Sequence, residues 1–229
     1  MNPTESAPII NHVDLATQVY DVLLDRLVSR DFEPSQQLSL AALAEELGVS
    51  RSPVHQALTR LVVEGLVAVR PRKGYVVLPI TEESVTQAFD ISLAFELLAA
   101  EKTVGKLAAS QLEELRRLME LTLPMVQGDR IVDRSGYVRA NQALHTFLIG
   151  LAGNRLMSRY FEQLRLHLVM GRVAGRRLSG MGHILVEHQE LVAAFEQGDL
   201  PRVQAVIRTH IESGKRVAAE EIRAAGGVL

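Results

Sequence analysis

A chain of 229 residues is about one and a half typical domains long, enough for one large core or two small ones. With 47% hydrophobic and 23% charged residues it has ample material for a core, which excludes disordered and collagen-like chains; the absence of cysteine excludes disulfides, thiol chemistry and Cys-based metal sites. A formal net charge of −2 gives no global sign of a nucleic-acid partner, so local charge must decide.

No apolar run is long enough to span a bilayer. Residues 1–14 (MNPTESAPIINHVD) lack a basic start and an apolar signal core. The expectation is a cytoplasmic protein with no membrane partner.

In chain order, Leu15, Val19, Val22, Leu23 and Leu27 mark a first helix at helical spacing. Two short helical patterns follow, Leu40, Leu43, Ala44, Leu47 and then Val54, Leu58, Leu61, Val62. Residues 66–78 (LVAVRPRKGYVVL) carry two short β-branched runs around a turn punctuated by Pro71 and Gly74. Residues 79–82 (PITE) read as a linker in which Thr81 caps the next helix. Helices are then predicted near 82–106, 110–127, 133–152, 154–176, 181–197 and 199–224, separated by Gly128, Gly153-Asn154, Ser179–Gly182 and Gly198-Asp199. The fold class is therefore mainly α: a winged helix-turn-helix over 1–80, and an all-α bundle of six helices, or seven, over 81–229.

Within residues 38–67, Ser39 caps a helix, Gly48 supplies a sharp turn, Val49 plugs the angle, and Ser50 or Ser52 caps a second helix. That second helix buries Val54, Leu58 and Leu61 and leaves Arg51, Ser52, His55, Gln56, Thr59 and Arg60 on the other side. A recognition helix enters the major groove with its N-terminal end leading, where donors meet bases and phosphates. The hairpin offers Arg70, Arg72 and Lys73 at its tip, with Gly74 permitting close backbone approach. Residues 51–73 hold five basic groups against the single acidic Glu64, a local net of +4. Turn, caps, wing and charge agree on DNA binding through Arg51, Ser52, His55, Gln56, Arg60, Arg72, Lys73 and Gly74.

Helical phase sorts the seven histidines. His145 shares a face with Leu144, Leu148 and Asn141; His188 with Ile184, Leu191 and Phe195; His210 with Val206, Ile207 and Gly214. Three helices thus each point one histidine inward. For a single histidine a hydrogen-bonded core position is the simpler account, but a divalent metal satisfies all three together. Three imidazoles suit zinc, with nickel or manganese as alternatives. Three histidines with an open position also allow a metal-dependent hydrolase. The chain has no HExxH motif, and Glu187 points roughly 100° away from His188 around the helix. The protein is therefore expected not to be an enzyme.

GVSRSPVHQALTRLVVEGLVAVRPRKGYVV resembles the winged helix of GntR-family bacterial transcriptional regulators. His55 and Gln56 stand where that family usually has Arg and Glu, which implies different operator bases there. ANQALHTFLIGLAGNRLM and EHQELVAAFEQGDLPRVQAVIRTHI resemble the FCD ligand-binding domain of the FadR subfamily, closest in length to its VanR-type branch. The resemblance implies His145, His188 and His210 as metal ligands, with Asn141 at the position of an aspartate, in a site that helps to bind a small carboxylate effector. With an amide in place of a carboxylate, a dication there keeps its full charge and pulls harder on an anion. Ser92 stands where relatives often carry a carboxylate-anchoring arginine, which leaves Arg172, in a stripe with Arg165 and Arg176, as the candidate anchor. The functional expectation is a homodimeric repressor on an inverted-repeat operator, controlled by that effector through a hinge around Ile80–Glu82. The alternative is a metal-responsive regulator in which the ion itself is the signal.

Overall fold

The computed structural model describes residues 14–128, 130–164 and 182–229. Helix α1 (Leu15–Val28) starts at Asp14, whose side chain accepts from the Ala16 amide. A short strand β1 (Gln37–Leu38) precedes α2 (Leu40–Glu46) and α3 (Arg51–Val63). Ser39 caps α2 by accepting from the Ala42 amide. Gly48, at φ +64°, makes the turn that no L-residue takes without strain. Ser50 occupies the cap position of α3 but makes no side-chain cap bond.

Strands β2 (Val67–Arg70) and β3 (Gly74–Val77) form the wing, and β1 pairs with β3 on its other side, giving antiparallel order β1-β3-β2. The register sets Arg70 opposite Gly74 and Val69 opposite Tyr75. β1 has only two residues, too few to show a period in sequence. Leu23 and Leu27 of α1, Val54, Leu58 and Leu61 of α3, and Val67 and Val77 of the wing close one core.

The second core is built by α4 (Glu82–Thr103), α5 (Ala109–Glu120), α6 (Arg134–Leu151), α8 (Gly182–Gln197) and α9 (Leu200–Ala224), with α7 (Arg155–Leu164) against α4 and α6. Thr81 caps α4 as predicted, in a reciprocal capping box with Ser84, whose hydroxyl takes the part a glutamate usually plays. Asp199 caps α9 through the Arg202 amide, and Gly198 sits at φ +67° at the end of α8. None of the helices of the described residues is long and apolar enough to cross a membrane.

The bundle is not wholly helical. α5 stops at Glu120, seven residues before the predicted end, and a 3-10 turn (Leu123–Met125) leads into a hairpin of β4 (Val126–Gln127) and β5 (Arg130–Ile131). Pro124 explains the stop: within a helix its ring would collide with the carbonyl of residue 120, and it has no N–H to donate.

α4 and α9 run antiparallel along most of their lengths. Glu101 accepts from Gln204 at 3.3 Å, Asp90 pairs with Lys215 at 2.6 Å, and Glu82 pairs with Arg223, all in one register. Gly214 sits where the Phe89 ring crosses, and a Cβ there would fall 2.9 Å from Phe89 Cε1. Beyond α9 the chain returns to the linker. Ile80 and Leu229 exchange both backbone hydrogen bonds, at 2.7 and 2.9 Å, and Thr81 bridges Val228. The segment predicted to be a hinge is thus tied down from Ile80 onward. On the other side, the Leu78 amide donates to the Leu66 carbonyl at 2.9 Å, which leaves Pro79 between the two tethers.

Candidate functional site

The amphipathic phase of α3 turns Pro53, Val54, Ala57, Leu58 and Leu61 inward. Its opposite face exposes Arg51, Ser52, His55, Gln56, Thr59 and Arg60. Arg70, Arg72, Lys73 and Gly74 are exposed at the wing. Arg72 has φ +62°, a left-handed conformation that costs an L-residue about 1–2 kcal/mol, and Gly74 has φ +69°. Arg51, Arg70, Arg72 and Lys73 make no ion pair with any described residue, so a cationic face spans the start of α3 and the wing tip.

Arg60 has a different setting. Its guanidinium lies 3.6 Å over the Tyr20 ring, its Nε donates to Glu64 at 3.3 Å, and the Tyr20 hydroxyl donates to Glu64 at 2.7 Å. This cluster fastens α1 to α3, and in it the one acidic group of the segment is paired with Arg60, so the local +4 rests on the other four cations. The His55 and Tyr75 rings meet edge to face, their centroids 6.3 Å apart, joining the recognition helix to the wing. Sequence reasoning missed both Tyr20 and Tyr75, because each lies on an element distant in sequence from its partner.

In the second domain, α6, α8 and α9 bring His145, His188 and His210 together. One nitrogen from each ring lies within 4.8 Å of the others, and the ring centroids are 4.6 to 5.5 Å apart. His188 is completely buried and neither of its nitrogens has a partner; Asn141 Oδ1 is also buried and unpaired. Unsatisfied buried groups of this kind cost about 1–3 kcal/mol each, and a divalent ion relieves several at once. The donor set therefore fits a metal, with His145, His188 and His210 as ligands and Asn141 beside them.

Two carboxylates complete the cluster, and sequence reasoning did not place either. Glu187 accepts from His210 Nδ1 at 3.0 Å and from the Ser213 hydroxyl at 2.7 Å. It does point away from His188, as helical geometry requires, but it points at His210 on the neighbouring helix. Glu96 of α4 is buried, with Oε1 3.2 Å from His145 Nδ1, off the line of the N–H, and Oε2 unpaired. A glutamate in phase with Phe89 and Leu93 on an apolar face was the available signal. Ser92 is fully buried and gives its hydroxyl to Glu96 Oε1 at 3.0 Å. Arg172, with Arg165 and Arg176, lies outside the described residues.

Burial raises a carboxylate's pKa and lowers an imidazole's, and the two carboxylates meet that penalty differently from His188. For Glu96, burial is outweighed by the charge and bonding of His145, so its carboxyl is held below the usual range; His145, beside it, is raised despite burial. Glu187 is likewise lowered against burial, chiefly by its bonds from His210 and Ser213. His188 is driven well below the ordinary value, first by burial and then by His210 and His145. It stays neutral and open to a cation. The expectation of an undiminished +2 charge is also altered: two carboxylates against the histidines formally balance a dication.

Known proteins resemble the chain in two successive parts. The model of the bacterial regulatory proteins of the gntR family matches residues 15–77, and that of the FCD domain matches residues 87–213, more than half of the chain. The chain belongs to the GntR family of bacterial transcriptional regulators, in its FCD-bearing FadR branch.

An HTH-type transcriptional regulator from an unstable DNA locus of Streptomyces ambofaciens is 28% identical over 196 residues, covering 85% of this chain and 81% of that one. The HTH-type transcriptional repressor RspR of Escherichia coli is 22% identical, with 85% of each chain covered. Among solved structures, E. coli McbR/YncC superposes with a TM-score of 0.67 at 22% identity, over 92% of this chain and 99% of that one. A putative GntR regulator from Rhodococcus sp. RHA1 gives 0.68 at 21%, over 91% and 98%. These relatives are regulators of transcription, not enzymes, and the chain is a DNA-binding regulator with an effector-binding domain.

Proposed function

We propose that the protein is a homodimeric repressor whose hold on an inverted-repeat operator is set by a small carboxylate bound beside a divalent metal, zinc in the first instance. The observation that carries this reading is the convergence of three buried imidazoles, one with both nitrogens unpaired, in a chain whose other domain exposes a cationic recognition face. A bound ion supplies a Lewis-acidic position for a carboxylate oxygen. Asn141 stands beside that position as a neutral group, and the amide does not repel an anion as an aspartate would. Dimerism is supported by exposed apolar side chains on two packed helices, Ile91 and Leu98 of α4 with Leu156 and Tyr160 of α7. Repression is supported by the printed role of RspR, a relative.

The test begins with elemental analysis and native mass spectrometry of protein purified without a His-tag or added metal. One zinc or nickel per subunit of a dimer is the expected result. Operator binding is then followed by fluorescence anisotropy with zinc alone and with zinc plus a panel of carboxylates. Release only when a carboxylate is added supports the reading; switching by zinc alone across physiological concentrations replaces it with a metal sensor. A metal-free dimer that resists loading demotes His145, His188 and His210 to core residues. In metal-loaded protein an active carboxylate should bind more tightly to wild type than to Asn141→Asp, and the reverse order by calorimetry refutes the part given to the amide.

A further inference from the structure

We infer that Glu96 and Glu187 are positioning residues of the metal centre, each claiming the Nδ1–H of one histidine so that His145 and His210 present Nε2 as the ligand atom. The inference rests on the metal reading above and names which nitrogens and which supports that reading requires. An ionised carboxylate only accepts, so a ring nitrogen held against it must carry the proton, and the other nitrogen is then the bare one. Glu187 is hydrogen-bonded to His210 Nδ1 at 3.0 Å, and Glu96 stands 3.2 Å from His145 Nδ1, in reach but not aligned, although the two carboxylates come from different helices, α8 and α4. Each is itself held by a serine hydroxyl, Ser213 on Glu187 and Ser92 on Glu96. The same order of groups, serine, carboxylate, Nδ1, thus recurs around one cluster, hydrogen-bonded throughout at His210 and as a close ion-pair approach at His145. His188 has no such support, and its two nitrogens lie unpaired between the other rings. Ser92 accordingly acts through Glu96 and His145.

Partners of this kind fix the tautomer and raise the basicity of a ligating imidazole, and their loss typically weakens metal affinity by about 10–100-fold. The experiment compares full-length wild type with Glu187→Gln and Glu96→Gln, isosteric changes that keep the fill of the core, and with Ser213→Ala, which touches only the support of Glu187. Histidine tautomers are read by long-range 15N–1H correlation in the metal-free proteins at an alkaline pH where His145 is neutral, and affinity by titration with Co2+ against a chromophoric chelator. Wild type should show the Nδ1–H form at His145 and His210. Each glutamine variant should show a mixed tautomer at its own histidine and about 10–100-fold weaker Co2+ binding, with Ser213→Ala intermediate. An Nε2–H form at either histidine in wild type, or unchanged Co2+ affinity in both glutamine variants, overturns the proposal. Wild type that takes up no Co2+ fails the metal reading instead, and the proposal with it; Nδ1–H tautomers in that same sample would mark the failure as one of the metal and not of the contacts. If one glutamine variant does not fold, the other and Ser213→Ala give the same decision.

Discussion

Single side chains at the two sites are held in states that chain chemistry alone disfavours. Arg72 keeps a left-handed backbone at the wing tip, where glycine would cost nothing, and strain of this kind collects where a side chain has work to do. Arg72→Gly is expected to raise stability by up to about 1 kcal/mol in urea unfolding, while weakening operator binding and lowering the slope of log affinity against log salt by about one unit. A variant that loses stability, or binds the operator as before, contradicts this. His188 is the corresponding case in the bundle. Folded, its pKa lies well below 6.5; unfolded, it returns there. Below about pH 6.5 the unfolded chain therefore binds a proton that the folded chain refuses, and metal-free protein loses stability on acidification at up to about 1.4 kcal/mol per pH unit from this residue. His145, raised by Glu96, is protonated in both states over that window and adds no slope; only above pH 6.5 does it contribute, and there stability falls as pH rises. Urea midpoints in EDTA at pH 5.5 and 6.5 check the sign, and a flat profile refutes it.

Among the elements, those with a full amphipathic period were legible in the sequence, and so were the caps at Ser39 and Asp199. The Gly48 turn and the wing were readable because glycine and proline punctuate them. Strand β1 and the β4–β5 hairpin were not, since two-residue strands carry no period and are defined by the partner they meet. The end of α5 was readable in principle from Pro124. The three histidines emerged from phase alone, each an anomaly on an apolar face. Glu187 did not, because phase describes one helix, and the partner of Glu187 lies on the next. Packing between α4 and α9 gives a further prediction at this scale. Gly214→Ala places a methyl group against Phe89, in a core with no slack along that crossing, and should cost about 1–3 kcal/mol despite alanine's better helix propensity. A gain in stability in thermal unfolding would show that the ring moves aside.

For the molecule as a whole, what matters is how the helical bundle is joined to the winged domain. The Glu82–Arg223 pair is exposed, is screened by solvent and contributes little to stability. Its position joins the first turn of α4 to the end of α9, next to the Ile80–Leu229 pairing. Arg223→Ala is therefore expected to leave Co2+ affinity unchanged while reducing the effect of a bound effector on operator affinity by about threefold. Equal coupling in the variant, measured by anisotropy with and without effector, would show that the signal travels by another route.

The two helices also have a metric relation. From Glu96 back to Glu82, and from His210 on to Ala224, the distance is fourteen residues, about 21 Å at helical rise in each case. Two arms of equal length, pinned together at the far end, behave like a pair of shears. A 21 Å rod tilted by 5° about one end carries its other end sideways by about 2 Å. The Ile80–Leu229 pairing lies beside Pro79, so a tilt of either arm meets the winged domain's tether there and not along the length of the bundle.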